Sequence, residues 1–185
     1  MSVETWDKYF YDMCITVSNN SKCLSRHIGT VLVRDNSVIS TGYNGPPRGI
    51  PHCGDRHKYD INLLSEYKKL DPYFDEFITT KKCPRQILGF KSGQGLDWCV
   101  AGHAERNSLI NAARHGIATK GAKLYMNCGI PCTPCLVEII NAGIEEIIVT
   151  KIEYYDLSAE YSLKNSSLKY RVFEHLKNVD VKPSY

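Results

Sequence analysis

No apolar run in this sequence approaches the length of a membrane-crossing helix. No block of Lys and Arg is long enough to serve as a nucleic-acid arm, and the formal net charge is only +3. The first shortage argues against a membrane protein, and the second disfavours a polynucleotide substrate. The opening stretch, Met-Ser-Val-Glu-Thr-Trp-Asp, lacks the basic-then-apolar order of a signal peptide, so a cytoplasmic location is expected. Internal repeats and low-complexity segments are missing too. Cysteine, by contrast, is plentiful, with eight in 185 residues. In a reducing compartment a Cys-x-x-Cys pair reads as metal ligands before it reads as a disulfide. The length suits a single domain, residues 1–185, with a real hydrophobic core.

Hydrophobic spacing predicts the elements in turn. Trp6, Tyr9, Phe10, Met13, Cys14 and Val17 recur at helical intervals over about Thr5–Asn19, with Ser2 or Thr5 as the cap. Two β-branched runs, 28–33 and 37–43, flank the turn-like Arg34-Asp35-Asn36 and make a hairpin. From about 46 to 100 the chain is polar and loop-rich, with a helix near 61–70 and a shorter one near 73–79. So long a stretch is unusual as a bare loop and reads as an insertion with a staple or a function of its own. Beyond it the spacing predicts helix 104–115, strand 122–127, helix 133–142, strand 145–150, helix 163–176 and an edge strand at 179–181. Alternation after residue 100 implies parallel strands with right-handed crossovers. The expected fold is α/β, a three-layer α/β/α sandwich around a mixed five-stranded sheet.

Two short stretches carry the chemistry: His103-Ala104-Glu105 and Pro131-Cys132-Thr133-Pro134-Cys135. One His and two Cys make three zinc ligands and leave a fourth tetrahedral position for water, as a catalytic site requires. Both stretches fall at predicted helix starts, where partial positive charge favours thiolates. Cys132 and Cys135, three apart on a first turn, share one face. Zinc lowers the pKa of bound water toward about 7, and Glu105 is placed to carry that proton to a ring nitrogen and then to a departing amine. A lone Cys-x-x-Cys is more often structural. The combination His-x-Glu with Pro-Cys-x-x-Cys is the pattern of zinc deaminases acting on cytosine or adenine.

Further residues carry a family resemblance: Trp6-Asp7-Lys8-Tyr9-Phe10, Ser21-Lys22-Cys23, Ile28-Gly29-Thr30-Val31, Ser40-Thr41-Gly42-Tyr43-Asn44-Gly45, His103-Ala104-Glu105-Arg106-Asn107 and Asn141-Ala142-Gly143-Ile144. With the two zinc stretches, these make the chain resemble the deoxycytidylate (dCMP) deaminases of the cytidine deaminase superfamily, from residue 5 to about 156. The zinc pattern alone would also fit tRNA adenosine, guanine or riboflavin-pathway deaminases, and Gly42-Tyr43-Asn44-Gly45 discriminates among them. The resemblance implies zinc-dependent hydrolysis of dCMP to dUMP and ammonia, supplying dUMP for thymidylate synthesis. It implies Asn44 at the substrate sugar, Arg26 near its phosphate and Tyr154 in the nucleotide pocket. It also implies Gly42, Tyr43, Asn44, Gly45 and Arg114 toward an allosteric nucleotide, dCTP activating and dTTP inhibiting, with Mg accompanying the triphosphate. Assembly as a homohexamer follows from the same likeness.

Cys23, Cys53, Cys83 and Cys99 remain, and a structural zinc held by all four would staple an insertion without a core. Phage-type members of the family resemble this at Cys23 and Cys53, though their other ligands differ; His52 and His57 compete for the place. Free cysteine in a core is the plainer reading. Other functional readings are a dCTP or modified-dCMP deaminase, a nucleic-acid editing deaminase, or a non-catalytic zinc and nucleotide-binding module.

Overall fold

The structure, a computed structural model, describes residues 2–91 and 93–177. The chain forms two compact units, one of residues 1–20, 28–43 and 103–185, the other of residues 21–27 and 44–102.

The first unit holds the sheet. Helix α1 (Val3–Ser18) starts at Ser2, whose hydroxyl accepts the Thr5 N–H. Strands β1 (Gly29–Arg34) and β2 (Ser37–Tyr43) form the expected hairpin, and Asp35 and Asn36 at its tip both take positive φ, 52° and 56°. Two such residues make the tight hairpin turn whose twist matches that of the strands. Helix α4 (Ala104–Arg114) leads into β3 (Lys123–Met126), α5 (Thr133–Asn141) leaves it, and β4 (Glu146–Val149) follows. With β5 (Lys169–Val172) at its end, the sheet runs β2-β1-β3-β4-β5, antiparallel through β3 and parallel from β3 to β5.

Its end departs from the sequence expectation. In place of one helix over 163–176, helix α6 is Leu157–Asn165, and strand β5, Lys169–Val172, pairs parallel with β4. Asp156 caps α6 early by accepting the Ala159 N–H at 2.7 Å. Ser166-Ser167, poor helix formers that favour caps and turns, separate the two elements. The fifth strand is therefore Lys169–Val172; the expected strand at 179–181 lies outside the described residues.

Alternation along the central strands feeds two cores. Leu32, Leu124, Met126, Ile147 and Val149 face α5 and α6, meeting Leu136, Ile139, Ala159 and Leu163. Val31, Val33, Tyr125 and Ile148 face Phe10 and Cys14 of α1, together with Phe173. Two glycines let helices lie close on this sheet: a Cβ on Gly29 would overlap Cys14 and Ser18 backbone, and one on Gly42 would overlap Ala104 and Ser108 backbone. Asp7, fully buried, takes two bonds from the Arg171 guanidinium at 2.5 and 2.9 Å and one from the Glu174 N–H, tying α1 to β5.

The second unit has less regular structure. Helix α2 (Ile61–Leu70) is capped by Asp60, α3 (Pro84–Ile87) is one turn, and the rest is short 3-10 turns and loop. Its buried side chains include Cys53, His57, Leu63, Tyr67, Thr79 and Cys83.

Candidate active site

His103 and Cys132 are the residues immediately before α4 and α5, and Cys135 lies on the first turn of α5. One helix runs into β3 and the other away from it, so their N-termini meet. His103 Nδ1 lies 3.2 Å from Cys135 Sγ and 3.5 Å from Cys132 Sγ. A tetrahedral zinc with bonds of about 2.0–2.1 Å to nitrogen and 2.3 Å to sulfur separates such ligands by roughly 3.6 Å. The donors fit the ion in kind and in spacing. Among the described residues, this trio is the one group of three or more His, Cys, Asp or Glu whose ligand atoms all lie within 4.8 Å.

Proton bookkeeping at the trio points the same way. Hydrogen bonding from Cys135 pulls the Cys132 thiol well below its ordinary range, with His103 adding to the effect. Cys135, the partner that keeps the shared proton, is pushed up by that bond and then by burial. The bond with Cys132 raises the His103 pKa, and the charge of Glu105 adds to it. The proton that Cys132 gives up and Cys135 keeps is one that a divalent cation would displace.

Glu105 is 5% exposed, on the first turn of α4, and its field reaches both His103 and Cys135. Thr30 of β1 fixes this turn: its buried hydroxyl bonds the Ala104 carbonyl at 3.0 Å and the Gly42 carbonyl at 3.2 Å. Sequence reasoning missed Arg106, next to Glu105. Its guanidinium pairs with Glu138 of α5 at 2.5 and 2.9 Å and so clasps the two ligand-bearing helices. The bond to Glu138 raises its pKa first, and the two metal-site sulfurs add to the rise. The signal was a basic residue one place past the Glu and an acid three places past Cys135.

The other expected site residues stand as follows. Gly42 is the close-contact position against α4, and the Tyr43 carbonyl accepts from the Asn107 amide at 2.8 Å. Arg114 is exposed on the last turn of α4. Tyr154 shares a 3.2 Å hydroxyl–hydroxyl bond with Tyr170. In the second unit Asn44 is buried, its amide donating to the carbonyl of exposed Arg26 at 2.9 Å and its carbonyl accepting from Ser21 at 2.7 Å. Gly45 forms an isolated antiparallel bridge with Gly102. Cys23, Cys53, Cys83 and Cys99 are free thiols that feel one another: burial first, then the other three cysteines, push the Cys53 thiol up to about 11. Cys83 is raised by burial and by Cys23 and Cys99. Their sulfurs are not gathered to the spacing of the His103 trio. Exposed His52 stands apart in character from His57, which is buried with Nε2 3.3 Å from a Glu76 carboxylate oxygen.

A mixed five-stranded sheet presenting His-Cys-Cys and a buried Glu at two helix N-termini defines a zinc deaminase fold. Residues 4–151 match the cytidine and deoxycytidylate deaminase zinc-binding region, and the chain belongs to that family. It is 33% identical over 144 residues to a deoxycytidylate deaminase of Schizosaccharomyces pombe, covering 78% of this chain and 36% of that protein. It is 30% identical over 169 residues to that of Saccharomyces cerevisiae, covering 91% of this chain and 45% of the yeast protein. The chain thus spans less than half the length of either. The fold matches the crystal structure of dCMP deaminase from the cyanophage S-TIM5 in complex with dCMP and dUMP. That match has a TM-score of 0.61 at 18% identity, over 93% of this chain and 98% of that one. Among the described residues no helix is long and apolar enough to cross a membrane.

Proposed function

We propose that the chain hydrolyses dCMP to dUMP and ammonia, supplying dUMP for thymidylate synthesis. The observation that carries this is the convergence of His103, Cys132 and Cys135 beside buried Glu105. Relatives named deoxycytidylate deaminase support the choice of substrate. His103 Nδ1 and the two thiolates would hold zinc; bound there, it supplies the Lewis acidity that makes water a nucleophile near neutral pH. Glu105 takes the proton of the attacking water and delivers it to the cytosine ring nitrogen. It then passes a proton to the departing amino group, which leaves as ammonia while carbon 4 keeps the oxygen. The buried carboxylate is oriented by α4, which Thr30 and the Arg106–Glu138 pair hold in place.

By the family likeness, Asn44 is assigned to the sugar, Arg26 to the phosphate and Tyr154 to the nucleotide pocket. Gly42, Tyr43, Asn44, Gly45 and Arg114 are assigned to a dCTP or dTTP effector carried with Mg, in a cytoplasmic homohexamer. All of these rest on the family likeness. Residues 46–100 are taken as an insertion within one deaminase domain. Cys23, Cys53, Cys83 and Cys99 are assigned a second, structural zinc. Their mutual influence on the Cys53 thiol supports that set.

Ammonia release with dCMP, dCTP, cytidine and adenosine-containing RNA tests the substrate. Turnover with dCMP alone, or with dCMP far above the others, is the expected result; RNA turnover, or none with any substrate, sinks it.

A further inference from the structure

Cys132 occupies the place before the first turn of α5 where Ser, Thr, Asp or Asn ordinarily accepts a backbone N–H. Its sulfur faces His103 Nδ1 and, of backbone donors, draws only on the Cys135 N–H. The helix start that sets the relative directions of Cys132 and Cys135 still needs a partner for Thr133, its first residue. A carboxylate from elsewhere supplies one. Asp156, the cap of α6, accepts the Ala159 N–H at 2.7 Å and, on the same oxygen, the Thr133 hydroxyl at 2.6 Å. The Thr133 backbone N–H bonds it as well, and these bonds, the Thr133 hydroxyl first, hold the Asp156 carboxyl below its usual range. Thr133 is the first residue of α5 and lies between the two cysteines in sequence. Leu136 and Ile139 of α5 share one core with Ala159 and Leu163 of α6, so the carboxylate links two helices already packed together.

We infer that Asp156 is a positioning residue for the metal centre, holding Thr133, the first residue of α5, between the two cysteines. It fixes the rotation of the Cys132–Cys135 turn toward His103. The inference rests on the zinc deaminase reading above. A purely structural Asp156 would cap α6 and nothing more. The two roles separate in Asp156→Ser: serine is a good cap for α6, but its side chain is too short to reach Thr133 as well. Thr133→Val removes the hydroxyl from the other end, and Asp156→Asn keeps both the length and an acceptor oxygen.

The test uses the full chain, wild type and variants, with cobalt(II) replacing zinc so that thiolate-to-metal and d–d bands report ligand geometry. Release of metal to a chromogenic chelator, followed alongside loss of ammonia production, gives the rate for the active-site ion. Asp156→Ser and Thr133→Val are each expected to shift the bands and speed release about tenfold, the size usual for groups that orient metal ligands. In these variants kcat falls more than KM rises. Their double variant is no worse than Asp156→Ser alone, because that change already removes every bond to Thr133. Asp156→Asn restores most of the wild-type bands. Wild-type bands and release rate in Asp156→Ser overturn the inference, whatever happens to its melting temperature. If that variant does not fold, unchanged bands in Thr133→Val overturn it equally. Wild-type protein that takes up no metal at His103, Cys132 and Cys135 fails the deaminase reading instead.

Discussion

Residues 103–149 and residues 44–102 fold on different terms. The first stretch alternates helix and strand, and nearly every inward residue of β3 and β4 is a large apolar side chain set between two layers. The second has one ten-residue helix, and its buried set mixes two apolar or aromatic residues of α2 with cysteine, histidine, threonine, asparagine, glycine and proline. Large side chains there stay outside: Tyr59, Ile61 and Tyr73 are 75%, 79% and 92% exposed. Burial of roughly 25 cal/mol per Å² of apolar surface holds the first region together; the second has too little to rely on that alone. The comparison separates a region stabilised by packing from one that calls for a cross-link.

The sharpest way to probe the packed region is to leave its structure alone and remove its chemistry. Glu105→Gln is expected to lower kcat by about 10²–10⁴-fold while metal content and melting temperature stay put. Activity near that of the wild type would remove Glu105 as the proton carrier. Next in size is a steric pair. Gly42→Ala and Gly29→Ala each force a Cβ into helix backbone and are expected to cost about 2–3 kcal/mol in denaturant unfolding. Gly42→Ala presses on the turn that carries Glu105, so kcat should fall further in it than in Gly29→Ala. Equal kcat in the two would show that the packed region yields as a whole.

The second region is tested by asking whether it holds a metal. Elemental analysis is expected to find two zinc ions per chain, falling to one in Cys53→Ser, with faster proteolytic cutting within residues 44–102. One zinc in the unaltered chain refutes the four-cysteine site. With the metal stripped by chelator, Cys53 stays a thiol at neutral pH, because burial first and its neighbouring cysteines next raise it to about 11. Its alkylation rate should climb steadily with pH up to that value. The smallest effect belongs to Tyr67, whose buried hydroxyl has no hydrogen-bond partner among the described residues. Tyr67→Phe in the metal-free chain is expected to be neutral within about 0.5 kcal/mol. A clear loss would mean that the hydroxyl makes a contact in solution that strengthens this region.

The same contrast explains what could be read from sequence. The hairpin, the helices before and after β3, and the metal trio were legible because their signals are local: paired turn residues, a 3.6-residue rhythm, ligands three apart. The C-terminal part of the sheet was not. Leu163, Leu168, Val172 and Leu176 mimic a helical face, and only pairing with β4 converts the last part of that run to strand. Asp7 looks like an ordinary polar residue on an amphipathic helix; nothing nearby announces that Arg171 will bury it. Asp156 carries a helix-capping signal in sequence, but its second bond, to Thr133, exists only once α5 and α6 share a core.

All three candidate metal ligands and Glu105 lie within the unbroken run from His103 to Cys135, organised by a single strand, β3. Heredity can therefore pass the reaction on as one parcel. A crossover, insertion or truncation outside those residues leaves the ligand set intact while the loops that choose a substrate drift.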